Sequence, residues 1–562
     1  MTNFLRAVPV QQWVTYRAFR GLLRAIFNWR TARRVLLTSA TLVTLIAVLY
    51  AVENWRGRHA WEQVKRELEA KGERLDLAAF IPPPIPDEQN FAMAPVWAKL
   101  NQGGFEAGNP VWSFDTNGWF HLWPHAPASN ELKAPMLGGL SGKLTDLASW
   151  QKYYRDYHAG ALLLLPINAT PSAIYGPDYD AFPIPQEAGN PAEDVLIALG
   201  RFDEALAGLR EAARRPQARF PIHYEDGMET MIPHLGLLKT ASDVLHLRAA
   251  AELELGRTDA AFKDVNLIVR LMNAIESEPT LISHLVRRSI CEIMLNVVWE
   301  GAARHRWTDV HLAAFQNELQ KLDFLADFDE ACTHERNSDI AFLTEILAIR
   351  SGQKPYYSNG RPGGPFSSIT AMTGADWLKD SKFWAWTFRL APRGVFERNK
   401  IACVASYQSL GSPRRSASTP FVVIEDWRRR CETLLTETSK PTLDSFLGAP
   451  FTRWQPEVSL IFFKAETLVR LARIACGLER YRLAVGRYPE HLAELSPRFL
   501  ATIPSDVIDG GAFKYQRTDD GRCALYSLGW NGQDDGGETG NPKHPQVNDP
   551  KAGDWVWKYP AE

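Results

Sequence analysis

Eighteen consecutive residues without a formal charge, Val35 to Val52 (VLLTSATLVTLIAVLYAV), lie between Arg34 and Glu53. As a helix rising 1.5 Å per residue this run is roughly 27 Å long, about the thickness of a hydrocarbon core. Trp29 and Trp55 bracket it and Tyr50 sits near its outer end, where amphipathic aromatic rings settle at a membrane–water boundary. The preceding flank carries Arg6, Arg17, Arg20, Arg24, Arg30, Arg33 and Arg34 and no acid. The run therefore predicts a single transmembrane helix over 35–52. Its arginines place residues 1–34 in the cytoplasm as a basic tail and the rest of the chain outside. A cleaved signal peptide would need a shorter apolar core and a small-residue cleavage site, which Val52-Glu53-Asn54-Trp55 does not offer. The expected address is a bacterial inner membrane, with the lipid bilayer as the first partner.

The whole chain of 562 residues, with 45% hydrophobic and 23% charged content, has the composition of folded domains, since a disordered chain lacks that apolar material. Once the seven leading arginines are set aside, 56 basic residues face 65 acidic ones. The exported part is thus acidic and has no basic excess that would point to nucleic acid. Six scattered cysteines (Cys291, Cys332, Cys403, Cys431, Cys476, Cys523) form no CxxC pair, and burial as small hydrophobes is the reading favoured for them.

The anchor helix is expected to continue through Trp61, Val64 and Leu68 and to stop at Gly72. Ile81-Pro82-Pro83-Pro84-Ile85-Pro86 then provides an extended spacer, closing a juxtamembrane unit over 53–86. Residues 87–190, rich in Trp, Pro and Gly, read as irregular with short strands. From Pro191 the period becomes helical. Leu199-Gly200-Arg201-Phe202-Asp203-Glu204-Ala205-Leu206 is echoed by Leu255-Gly256-Arg257-Thr258-Asp259-Ala260-Ala261-Phe262, and more faintly by Arg306-Trp307-Thr308-Asp309. These phrases resemble tetratricopeptide units, whose G-x-Y/F-x-x-A-L pattern matches Gly200, Phe202, Ala205 and Leu206. Pro216 to Pro233 interrupts any regular 34-residue period. The expected fold class is mainly α: a single N-terminal span, an α-helical ectodomain over 191–455 with tetratricopeptide-like helix pairs, and a small α+β domain over 456–562.

That last segment reads as a long helix from Leu460 to Tyr481, a Gly486-Arg487-Tyr488-Pro489 stop, and strands 514–517 and 523–528 about Thr518-Asp519-Asp520-Gly521. The polar loop Asn531-Gly532-Gln533-Asp534-Asp535-Gly536-Gly537 and a last strand near Trp555 follow. In this order the elements resemble the globular domain of the type II secretion major pseudopilin, matched at Tyr481, Leu483, Gly486, Tyr488, Pro489, Leu492 and Leu495 and at Tyr526-Ser527-Leu528-Gly529. The resemblance implies a calcium ion in the loop, carried here onto Asn531, Asp534, Asp535 and Asp549, with Asn531 standing where an aspartate is usual. A pseudopilin carries its apolar stem at the very N-terminus. The stem-like helix here lies some 460 residues into the chain and contains Lys464, Glu466, Arg470 and Arg473, so filament assembly does not follow. As a whole the chain also resembles membrane-anchored proteins of environmental bacteria, of no assigned activity, that join an FIPPP spacer (Phe80–Pro84) to this ending.

Catalytic motifs fail on inspection. Gly138-Gly139-Leu140-Ser141-Gly142-Lys143 lacks the first glycine and the terminal hydroxyl of a phosphate loop, and Lys143 breaks G-x-S-x-G. His121 and His125 lack the glutamate of HExxH, and Asp178 and Asp180 read as a turn. Arg428-Arg429-Arg430 reads as a solvated helix face. The leading expectation is a non-enzymatic envelope protein that contacts an unknown protein partner through its helical body and pseudopilin-like end. Its rival is an exported hydrolase acting on glycans through the aromatic and acidic segment 110–185.

Overall fold

The computed structural model describes residues 29–97, 104–106, 109–111, 134–163, 182–224, 230–350, 357–358, 361–362, 390–413, 424–439, 442–448, 452–518, 523–540 and 549–558. The basic tail up to residue 28, His121, His125, Asp178, Asp180 and the 519–521 turn lie outside them. The described chain is mainly helical, and two sides of its first helix live in different surroundings.

Helix α1, Trp29–Ala70, is one element of 42 residues. Its first half is bare: the most apolar 18-residue window is 0% buried, and Leu36, Val43 and Leu45 are among its exposed side chains. The second half is built in. Gly57, Trp61 and Leu68 are buried against α9 (Phe324–Arg350) and α10 (Arg393–Leu410), where Ile340 and Val404 complete the cluster. Gly57 and Gly394 let the two backbones touch. A Cβ on Gly57 would lie 2.2 Å from the Gly394 carbonyl oxygen, and one on Gly394 would lie 1.8 Å from that of Glu53. Polar bonds flank this contact. The Gly394 N–H donates to Asn54 Oδ1 at 3.0 Å, the Tyr50 hydroxyl to the Leu390 carbonyl, and Arg398 to Glu53 at 2.7 Å. The Arg398 guanidinium holds the Glu53 carboxyl below its ordinary range. Past the left-handed Gly72, Arg336 pairs with Glu73 and the Asn337 amide donates to the Arg74 carbonyl at 2.6 Å, so the chain turns off α1 under control of α9.

The proline spacer is docked as well. Arg219 Nε donates to the Pro82 carbonyl at 2.9 Å, the Phe91 N–H to the Gln217 carbonyl at 2.8 Å, and the Arg219 N–H to Asn90 Oδ1 at 2.8 Å. The stretch after Pro216, which breaks the helical repeat, is therefore where the chain arriving from α1 lies down. Residues 147–163, read from sequence as irregular, form helix α2 (Leu147–Leu163). Its Leu147, Trp150, Tyr154 and Tyr157 recur at three- and four-residue spacing and are buried. Elsewhere in 87–190 the described residues form short 3-10 turns over 87–97 and the hairpin β1 (Gly104–Glu106) with β2 (Asn109–Val111), and a second hairpin pairs β3 (Tyr357–Ser358) with β4 (Arg361–Pro362).

Helices α3 (Pro191–Leu199), α4 (Asp203–Ala212), α5 (His234–Glu254), α6 (Thr258–Asn273), α7 (Leu281–Ala303) and α8 (Asp309–Leu319) follow. The repeated phrases mark their corners. At α5–α6 the Gly256 N–H reaches the Leu253 carbonyl and the Arg257 N–H that of Glu252. At α7–α8 the His305 N–H reaches Ala302 and the Arg306 N–H reaches Gly301, the same paired closure of a helix end. Gly256 takes the left-handed φ of 71° without cost, whereas His305 takes 53° as a side-chain-bearing residue. Helix α11 (Ile424–Ser439) and the 31-residue α12 (Gln455–Val485) complete the set, and α12 ends in left-handed Gly486. The sheet β5 (Lys514–Arg517), β6 (Cys523–Ser527), β7 (Trp555–Trp557) is antiparallel, with Tyr515 opposite Leu525 and Tyr526 opposite Val556.

One core runs from Phe91 through α5, α7 and α12 to Trp557, so α12 and the sheet share their interior with the helical body. Buried Glu466 takes the Phe324 N–H at 2.9 Å and Arg470 Nε at 2.8 Å. Gln316 Nε2 donates to the carbonyls of Arg473 and Phe499 at 3.0 and 3.1 Å. All six cysteines are free, five buried and Cys332 half-buried.

Replacing Gly394 by alanine must part α1 from α10 and is expected to cost about 1–3 kcal/mol. Alanine at Gly236, a helical position with nothing within 4 Å of a Cβ, should be neutral or stabilising by up to about 1 kcal/mol. Denaturant unfolding of the two variants checks this, and equal effects would contradict the close helix contact.

Candidate functional site

Three kinds of place gather chemistry-bearing side chains. The first is the acidic loop after β6. Gly529 and Gly553, both at positive φ, let the loop ends pass so closely that a Cβ on Gly529 would lie 2.3 Å from the Gly553 carbonyl. Asp554, 1% exposed, receives the N–H groups of Asp535 and Gly537 on one oxygen at 3.1 and 2.7 Å, while its other oxygen is buried with no partner. Desolvation raises its carboxyl above the usual range. Asn531 donates to Asp535 at 2.7 Å, and Asp534 accepts the Tyr526 hydroxyl at 3.1 Å and lies 3.4 Å from Lys514 Nζ. Arg428 donates to the Asn531 carbonyl at 3.2 Å. Asp549 stands apart, capping the Lys551 N–H at 2.9 Å. Buried Asp506 ties the loop's start to the Ile508 and Leu528 N–H groups at 3.0 and 3.3 Å.

Of the four residues carried over for calcium, the fold joins Asn531 to Asp535, turns Asp534 to the strand and Lys514, and leaves Asp549 on its own turn. Among the described residues no three His, Cys, Asp or Glu side chains form a group able to hold a metal ion. The loop's carboxylates are engaged within the protein: Asp534 with the Tyr526 hydroxyl, the Gly536 N–H and Lys514, Asp535 with the Asn531 amide, and one oxygen of Asp554 with two backbone N–H groups. The structural centre is Asp554 with Asp506. Asp506 is an isolated acid at the head of a loop whose sequence gives it no special spacing.

The second kind of place is buried and closed. Glu300, fully buried, accepts from the Thr145 hydroxyl and faces His246 Nε2 at 3.1 Å. Glu278 accepts Ser283 Oγ at 2.5 Å and faces His234 Nε2 at 2.8 Å, with Phe220 stacked on the histidine. Serine, histidine and acid meet there, but the carboxylate stands between the other two, so the imidazole does not contact the hydroxyl and the order of a serine–histidine–acid relay is absent. Asp339, on α9, accepts the Tyr407 hydroxyl of α10 at 2.8 Å in a fully enclosed site. Burial and the nearby Glu335 carboxylate push Asp339 well above the ordinary carboxyl range. The Gly138–Lys143 stretch is a tight turn. The Gly139 N–H bonds the Lys143 carbonyl, and the Leu140 N–H bonds Asn296 at 3.1 Å, where a phosphate-binding loop would leave its amides open.

The third place is a cavity of about 250 Å³ where α1 meets the body, lined by Asn54, Arg58, Thr344, Arg393, Gly394 and Glu397 among others. Sequence reasoning missed it because its walls come from three helices distant in the chain.

Compared with known proteins, the chain matches no family model, no curated protein and no solved structure.

Because Asp339 has a raised folded-state pKa, folding takes up a proton between the ordinary value of 3.8 and the raised one, and this contribution to stability is lost as pH rises through that window. Asp339→Asn keeps an acceptor for Tyr407 and removes the buried charge. The variant should gain on the native chain between pH 4.5 and pH 8 in urea midpoint. A difference that does not move with pH would contradict the assignment.

Proposed function

We propose that this is a single-pass protein of a bacterial inner membrane, cytoplasmic at its basic N-terminus, whose exported body works by protein contacts and not by catalysis. The observation that carries the first half is the division of α1. An apolar run of spanning length has every side available to lipid, while the next turns are locked to α10. A signal sequence passes the same test of length and composition, but the junction speaks for retention. Tyr50, Glu53 and Asn54 are helical and bonded to the body, and Gly57 is packed against it, where a signal peptidase would need an extended segment.

The contact role rests on the paired helices of 191–319, with their matching corners, and on the pseudopilin-like ending fused to them. The reading extends to a partner in a secretion or pilus-like system. The polar clusters described inside the body are enclosed and serve packing, which also favours contact over turnover.

An alkaline phosphatase fusion placed after residue 60 should be active in cells, and an inactive but stable fusion would overturn the topology. In-cell crosslinking of the full chain should capture a discrete protein partner. Glycan hydrolysis by the purified chain, abolished by Asp178→Asn or Asp180→Asn, would instead establish the hydrolase.

A further inference from the structure

We propose that the cavity between α1 and α10 is a binding site for the anionic headgroup of a membrane phospholipid, and that this site seats the body on the bilayer surface. The inference rests on the membrane-anchor reading of α1. The cavity lies close to the bilayer surface. Arg58 lies six residues beyond Val52, the last of the uncharged run, so along an unbroken helix its Cα stands roughly 9 Å above the hydrocarbon edge. Asn54 stands roughly 3 Å above that edge. Headgroups occupy about 5–8 Å on each side of the hydrocarbon core, so the cavity runs from within their layer at Asn54 to its outer margin at Arg58.

The second observation is charge. Arg58 and Arg393 line the cavity from opposite helices and are exposed, and neither has an acidic partner among the described residues. The other charges nearby are already engaged. Glu397 is 2.6 Å from Lys400, Glu53 takes both Arg56 and Arg398, and Arg398 also takes Asp444 at 2.7 Å. Two unengaged guanidiniums across a cavity of about 250 Å³ suit a phosphodiester, whose oxygens accept paired N–H donors. The third observation is rigidity. The Gly57–Gly394 contact and the Asn54 bond to the Gly394 N–H fix Arg393 relative to α1, so the two arginines face one site at a set depth. A soluble phosphate ester has the same chemistry, but the cavity's height commits it to the lipid.

The test uses the full-length protein in vesicles of phosphatidylcholine alone and of phosphatidylcholine with phosphatidylglycerol. Lipid carried through mild detergent extraction is then read by native mass spectrometry. The native chain should retain phosphatidylglycerol preferentially. Arg58→Gln with Arg393→Gln should cut that preference about twenty- to thirtyfold, at about fivefold per arginine. Lys65→Gln with Arg66→Gln, which removes the same charge about two turns higher on α1, should leave it within about twofold. Alkali-resistant insertion into pure phosphatidylcholine reports on the anchor separately. Failure to insert would overturn the anchor reading, whereas insertion with no phosphatidylglycerol preference, or with equal loss in both double variants, would overturn the headgroup site alone. Displacement of the lipid by millimolar glycerol 3-phosphate would assign the cavity to a soluble ester and overturn the proposal. Unchanged thermal unfolding of both variants guards against misfolding.

Discussion

Gly57 and Gly394 bring two helix backbones into contact, and much of what this molecule can do follows from that approach. Without side chains at these positions α1 and α10 lie near enough for the Asn54 amide oxygen and the Gly394 N–H to bond, and for Glu53 to share Arg398 with Asp444. A single helix thereby carries an apolar, fully exposed half and a half that belongs to the body. Such a junction cannot swivel as a flexible linker would, so the direction of the apolar half is fixed relative to the body. Lys400 reinforces the seam, its ammonium 4.9 Å from the Trp61 ring centre, where cation and aromatic face attract.

The body has its own organiser in α12. This helix buries side chains on several sides along most of its length, and its two buried carboxylates are answered internally. Glu466 is held by Arg470 and the start of α9, and Glu479 by Arg482 at 2.9 Å, His305 at 3.2 Å and Tyr488. α12 is the central post of a larger core, which accounts for charges that a lipid-facing helix could not bear. The His305–Glu479 pair also links the one non-glycine left-handed corner among the described residues to that post.

Much of this was legible in the sequence because it rests on local period and local chemistry. The uncharged run and its arginine flank, the long α12 closed by Gly486, the hairpin strands and the repeated corner phrases each write their structure into neighbouring residues. What escaped was non-local. Helix α2 was hidden by the Trp, Pro and Gly around it, although its own aromatics keep helical spacing. The docking of the proline spacer on residues 217–219 and the α1–α10 seam join segments more than a hundred residues apart, which no period announces. In the acidic loop the sequence pointed to exposed Asp534 and half-buried Asp535 and Asp549, whereas the fold turns on buried Asp554 and Asp506. Burial, not residue type, sets those roles.

The account's central claim is that α1 crosses the bilayer once as an unbroken helix and enters the body directly. Single cysteines placed along residues 29–60 and probed with a membrane-impermeant maleimide in intact spheroplasts test it most directly, since five of the six native thiols are buried. The account predicts labelling at 56 and 58, silence from 35 to 52, and labelling at 30 or 33 only after lysis. Labelling at 30 or 33 in intact spheroplasts, or within 38–48 under any condition that leaves the membrane whole, would contradict it.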